Sequence, residues 1–144
     1  MAATKKIANQ VATPGYWAEA CAQLSKRDRV MKRLIPRFGE ACLESRGDAF
    51  VTLARSIVGQ QISVKAAQSV WNRFEALSRR VAPAQVLRLK VDDMRAAGLS
   101  ARKVEYLVDL ALHFDGGRIH VEQWQAMDDE AIIAELVAIR GIGR

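Results

Sequence analysis

The sequence predicts an all-α fold, an orthogonal bundle of short helices, and three observations carry that prediction. Apolar residues recur at helical spacing along most of the chain. Thr13, Ser25, Ser63, Ser100 and Asp128 stand where helix N-caps belong. Ala, Leu, Arg and Gln are plentiful, whereas Gly and Pro number nine and three in 144 residues. No segment alternates as a half-buried strand does, so about eight or nine short helices joined by tight turns are expected.

In order along the chain, residues 1–15 read as a loose N-terminal segment and residues 16–144 as one helical domain. Thr13-Pro14 suits a helix start, after which Trp17, Ala20, Cys21 and Leu24 share a face. Ser25 to Asp28 has capping-box spacing and leads into Val30, Met31, Leu34, Ile35 and Phe38, with Pro36 kinking or ending that helix near Ile35. A turn over Glu44–Asp48, with Asp48 placed as a cap, precedes the cleanest helix, whose inward face is Phe50, Leu53, Ala54, Ile57 and Val58. Gly59-Gln60-Gln61 interrupts it. Ser63 caps the next helix, with Val64, Ala67, Val70, Trp71, Phe74 and Leu77 inward. Pro83 and Asp92 open two short helices, the second stopped by Gly98. Ser100 caps a longer one facing inward with Val104, Leu107, Val108, Ala111 and Phe114. After the Asp115-Gly116-Gly117 turn, Asp128 caps a last helix bearing Ile132, Leu136, Val137 and Ile139.

The charge balance is +6, from 22 Lys and Arg against 16 Asp and Glu. The excess lies in the first 120 residues, while residues 121–144 are acidic. A basic surface spread in this way suits a polyanion such as nucleic acid, although charge alone also fits an ordinary basic protein. Cys21 and Cys42 form no CxxC pair, and His113 and His120 are isolated, so neither a metal site nor a cofactor is indicated. Both cysteines read as small core residues in a reducing compartment. No apolar run is of membrane-spanning length, and Met1–Gln10 lacks a signal core, so a cytoplasmic location with no membrane partner is expected.

Three stretches invite a chemical reading. The chain ends on Ile139-Arg-Gly-Ile-Gly-Arg144. Glycines at positions 141 and 143 let backbone N–H groups approach a phosphate, with Ile142 turned inward to pin the turn; an ordinary glycine helix stop would look the same. The second stretch is Ile57-Val-Gly-Gln-Gln-Ile-Ser-Val-Lys-Ala67, where Gln60 and Gln61 either cap a helix end or present amides to a ligand. The third, Gly98 to Leu107, carries Arg102 and Lys103 on a first helical turn, where positive charge opposes the helix dipole. A phosphate would offset that; solvated surface residues are the alternative.

Together, and in this order, the three stretches resemble the helix-hairpin-helix DNA glycosylase superfamily, in the form closest to DNA-3-methyladenine glycosylase II, over roughly residues 16–144. The resemblance implies a two-lobed all-helical fold, here incomplete at the C-terminus. It also implies binding of double-stranded DNA containing alkylated bases and hydrolysis of the N-glycosidic bond of a flipped base, without a cofactor. It places the side chain that fills the vacated base stack at Gln61, with Gln60 beside it, and adds Ser63, Lys103, Gly141, Ile142, Gly143 and Arg144 as DNA-binding residues. The family's catalytic Asp falls beyond Arg144, so this stretch alone is expected to be inactive. Asp128, Asp129, Glu130 and Glu135 read instead as helix-start and exposed residues. Competing readings are a non-catalytic helix-hairpin-helix DNA-binding module and a helical protein that pairs with its own copy through the open C-terminal face.

Overall fold

The computed structural model describes residues 13–39, 41–42 and 47–144, so the expectations for residues 1–12 and for the Glu44–Arg46 part of a turn lie outside the described residues. Every regular element among the described residues is a helix, as the periodicity predicts. They gather into two compact units, divided along the sequence between Gly47 and Asp48.

The first unit contains α1 (Trp17–Arg27), α2 (Arg29–Leu34) and a 3-10 turn over Ile35–Phe38. Two expected caps are corrected here. Helix α1 begins at Trp17 with Tyr16 before it, so Thr13 caps nothing, and Ser25 lies inside α1. The capping carboxylate is Asp28, which accepts from Val30 N at 2.7 Å and Met31 N at 2.8 Å. Asp28 adopts an extended backbone and so divides α1 from α2. A carboxylate bonding two free amides at a positive helix end outcompetes a serine three residues earlier. Pro36 ends α2 at Leu34, as expected. The apolar face predicted to be core is open in this unit: Leu24, Val30, Leu34 and Phe38 are exposed, and no described residue of α1 or α2 is buried. Cys21 is half-buried and Cys42 exposed, which corrects their expected core placement.

The second unit holds the core. It comprises α3 (Ala49–Gly59), α4 (Val64–Glu75), α5 (Pro83–Val86), α6 (Val91–Ala96), α7 (Ala101–Asp115) and α8 (Asp129–Val137). Helix α7 is central and packs against α3, α5 and α6, while α3 also packs on α4. Its Leu107, Leu110 and Ala111 are fully buried with Ala54 and Ile57 of α3, Trp71 and Phe74 of α4, Val86 of α5 and Met94 of α6. Phe50 meets Phe114 edge to face, with ring centroids 5.3 Å apart, and the Arg55 guanidinium lies 4.6 Å from the centroid of the Trp71 ring.

Caps at Asp48, Ser63, Ser100 and Asp128 hold as expected, each side chain accepting from the amide three residues on. Asp92 does not open α6; Lys90 precedes its first residue, and Asp92 and Asp93 occupy the first turn, where negative charge favours the dipole. Gly98 stops the segment with φ 102°. Val64, predicted inward, is 89% exposed, because α4 turns its buried face only from Val70 onward. Val137 is also exposed, whereas Ile139 just after α8 is buried.

Glu135 is not an exposed-face residue. Its carboxylate accepts from His120 N and Trp124 Nε1, both at 3.1 Å, and pairs with His120 Nδ1, so it staples the Val121–Gln123 turn to α8. The His120 side chain first, then its backbone N–H and the Trp124 indole, hold the Glu135 carboxyl below its ordinary pKa, against an opposing effect of burial. A lowered carboxylate pKa contributes stability above the unfolded value, about 4.3 for Glu, and that stability is lost as pH falls through the folded value. Acid titration of thermal stability is therefore expected to show a decline below about pH 4.3 that Glu135→Gln makes shallower. An identical decline in the variant would show that this staple does not set it. Separately, Ile57→Ala, which empties a fully buried site, is expected to cost about 2–5 kcal/mol in denaturant unfolding.

Candidate nucleic-acid interface

Helix α3 runs out at Gly59 because Gln60 leaves the helical region, with ψ 134°. Its last carbonyl groups then need donors. Two come from one side chain: Lys103 Nζ donates to Val58 O at 2.7 Å and to Gln60 O at 2.8 Å. Lys103 sits in the first turn of α7, where its charge opposes the local dipole, but its ammonium lies at the negative end of α3. Burial of the half-covered ammonium pushes its pKa below the ordinary lysine value.

The same corner touches the end of the chain. Gln60 Nε2 donates to Gly141 O at 2.8 Å, across 81 residues of sequence. The next residue, Gln61, is exposed and has φ 60°, and it is the non-glycine residue with positive φ among the described residues. A left-handed backbone is disfavoured for a side chain with a Cβ and persists where its surroundings impose it. The two glutamines are thus divided in role: Gln60 faces the protein and Gln61 faces out. The Ser63 hydroxyl accepts from Ala66 N at 3.2 Å as the α4 cap.

The Gly141–Arg144 turn is held from beneath by α7. Asp109 Oδ2 accepts from Arg140 N at 2.8 Å. Gly141 has φ 85° and lies on the Tyr106 ring so closely that an added Cβ would fall 2.3 Å from a ring carbon. Ile142 is half-buried against the core, as its expected inward direction requires. Gly143 has open space where a Cβ would be, which leaves its backbone approachable. The Arg144 guanidinium pairs with Glu130 at 2.6 and 2.7 Å, both side chains being largely exposed.

The structure therefore brings Gln60, Lys103 and Gly141 into one hydrogen-bonded group and sets Ile142 beside it. Lys103 has partners that neither sequence expectation names: its half-buried ammonium donates to two backbone carbonyls. Gly141 also packs on Tyr106, which leaves no room for a side chain there. Asp109 is not singled out by the sequence, and Tyr106 reads from sequence equally as a core or a pocket aromatic. A signal for Asp109 existed, since this carboxylate interrupts an apolar run between Val108 and Leu110.

Comparison with known proteins gives one consistent result. The sequence pattern of the HhH-GPD superfamily base excision DNA repair proteins matches residues 54–144. DNA-3-methyladenine glycosylase 1 of Schizosaccharomyces pombe is 32% identical over 129 residues, covering 84% of this chain and 56% of that protein. Two solved structures are also similar. The Schizosaccharomyces pombe 3-methyladenine DNA glycosylase in complex with abasic DNA superposes with TM-score 0.75 at 30% identity, over 88% of this chain and 65% of that one. The Bacillus halodurans DNA-3-methyladenine glycosidase superposes with TM-score 0.72 at 31% identity, over 87% and 58%. The chain thus spans about half the length of the first of these curated relatives.

The two glycines of the turn are expected to separate by substitution. Gly141→Ala meets both a left-handed backbone and the Tyr106 ring, and should lower stability by about 1–3 kcal/mol in denaturant unfolding. Gly143→Ala meets open space and should stay within about 0.5 kcal/mol. Equal effects would mean that Tyr106 packing does not constrain the turn.

Proposed function

The chain belongs to the HhH-GPD superfamily of base excision DNA repair proteins, and from that premise we propose that it serves a DNA glycosylase that flips alkylated purines such as 3-methyladenine out of the duplex and hydrolyses their N-glycosidic bonds. The observation that carries the reading is Gln61: an exposed amide on a left-handed backbone, next to a residue tied both to α7 and to the Gly141–Arg144 turn. Flipping a base leaves a gap in the stack and an orphaned partner base. A glutamine amide can occupy that gap while hydrogen-bonding the partner, because it offers both donor and acceptor. The open backbone at Gly143 suits a phosphate oxygen, and the net charge of +6 favours the duplex as a whole. A simple phosphate grip needs no such presented side chain, which favours a base-flipping protein over a binding module. The Schizosaccharomyces pombe relative solved with abasic DNA supports the same kind of ligand.

Glycosidic cleavage builds positive charge on the sugar, so a placed carboxylate is needed to stabilise it and to direct water. The acids nearest the turn have other work. Asp128 caps α8, Asp109 holds Arg140 N, Glu130 pairs with Arg144, and Glu135 staples the Val121–Gln123 turn. We therefore assign the catalytic carboxylate to the Asp that the family resemblance puts after Arg144, and the present residues to binding and flipping.

Fluorescence anisotropy with the 144-residue chain tests this assignment. Duplex DNA carrying an abasic site should bind more tightly than intact duplex, with log K falling by about 0.9 per phosphate contact for each decade of salt. Gln61→Ala should lower the abasic preference by about tenfold and leave the salt dependence alone. The same polypeptide should release no 3-methyladenine from methylated duplex above the spontaneous rate. Salt-insensitive binding, or release that persists when Asp128, Asp129, Glu130 and Glu135 are substituted, would defeat the assignment.

A further inference from the structure

We propose that Lys103 is a positioning residue that sets Gln61 relative to the Gly141–Arg144 turn, and that it makes no phosphate contact of its own. The inference rests on the DNA-glycosylase reading above and deepens it. The α3–α4 corner has to carry Gln61 in a conformation that its own residue type disfavours. A short corner with an unsatisfied helix end could relax in several ways, each moving the exposed amide. The ammonium of Lys103 removes that freedom by bonding Val58 O, the last turn of α3, and Gln60 O, which lies on the peptide unit leading directly into Gln61. The orientation of that peptide plane sets the approach to the left-handed φ at Gln61.

With its carbonyl so held, Gln60 directs its side chain to Gly141 O. Gly141 is in turn fixed by the Tyr106 ring, and its neighbour Arg140 by Asp109. Lys103, Tyr106 and Asp109 all stand on α7, spaced about one helical turn apart. One rigid helix thus sets both DNA-facing elements, the corner through Lys103 and the turn through Tyr106 and Asp109, and the Gln60 amide closes the loop between them. A cation donating two charge-assisted bonds into a helix C-terminus is well suited to such a task.

Two measurements test the proposal. In 15N-resolved spectra, Lys103→Met should shift and broaden the Gln61 backbone amide and the Gln60 side-chain amide, while the fully buried α7 residues Leu107 and Leu110 keep their positions. Unchanged Gln60 and Gln61 signals would overturn the proposal whatever the DNA result. In anisotropy, Lys103→Met and Gln60→Ala should each reduce the preference for abasic over intact duplex by about tenfold, and Lys103→Arg, which keeps the charge and the donors, should recover most of it. The salt slope should be that of the unsubstituted chain. Equal weakening on both duplexes, with the slope reduced by about 0.9, would identify Lys103 as a phosphate ligand and overturn the proposal. If the unsubstituted chain shows no preference for the abasic duplex, the base-flipping reading is what fails, and the spectra still decide whether Lys103 holds the corner.

Discussion

The end of helix α3 exposes carbonyl groups that need donors, and the ammonium of Lys103 supplies two of them. Much of the described interface follows from this requirement. Charge at the start of α7 is disfavoured by its own helix, yet the same charge is welcome at the end of α3, so the two helix termini meet through one side chain. That meeting holds the peptide before Gln61, and the held peptide aims Gln60 at Gly141. The arrangement costs Lys103 some hydration, which the lowered pKa reflects.

Around this contact, the second unit is organised by α7. Its apolar face closes the core with α3, α4, α5 and α6, while Tyr106 and Asp109 hold the Gly141–Arg144 turn. Core burial and interface placement are therefore two consequences of one helix being rigid. The Arg144–Glu130 pair lies outside that scheme. Both partners are largely exposed, and an ion pair in that setting contributes only about 0.2–1 kcal/mol, so Arg144 can exchange its partner for another anion at little cost.

Glycines 141 and 143 show how one residue type can meet two physical demands within a single turn. Gly141 is required by a backbone angle and by an aromatic ring pressed against it. Gly143 is required by neither, and open space lies where its side chain would be. The glutamines divide similarly. Gln60 is a structural link whose amide meets a backbone carbonyl 81 residues away, whereas Gln61 is held out in solvent at a conformational cost.

The sequence by itself determined the helical class, most helix limits and the family, because those depend on local matters: 3.6-residue apolar spacing, caps such as Asp48, Ser63, Ser100 and Asp128, and three short motifs in order. It also marked Gln60, Gln61, Lys103 and Gly141–Arg144 as the residues to watch. Their division of labour was settled only by tertiary structure. A cation on a first turn points locally to solvent or phosphate; the two carbonyl partners of Lys103 lie at and just past the end of α3, some 43 to 45 residues earlier. Nothing local to Gly141 reveals the Tyr106 ring that an added Cβ would meet. Ser25 and Val64 depart from their local pattern for a related reason, since local periodicity cannot show which competing cap wins or where a helix turns away from the core. Hydrogen bonds and packing between elements distant in sequence depend on how those elements dock, and the spacing of residues within each element carries no record of that docking.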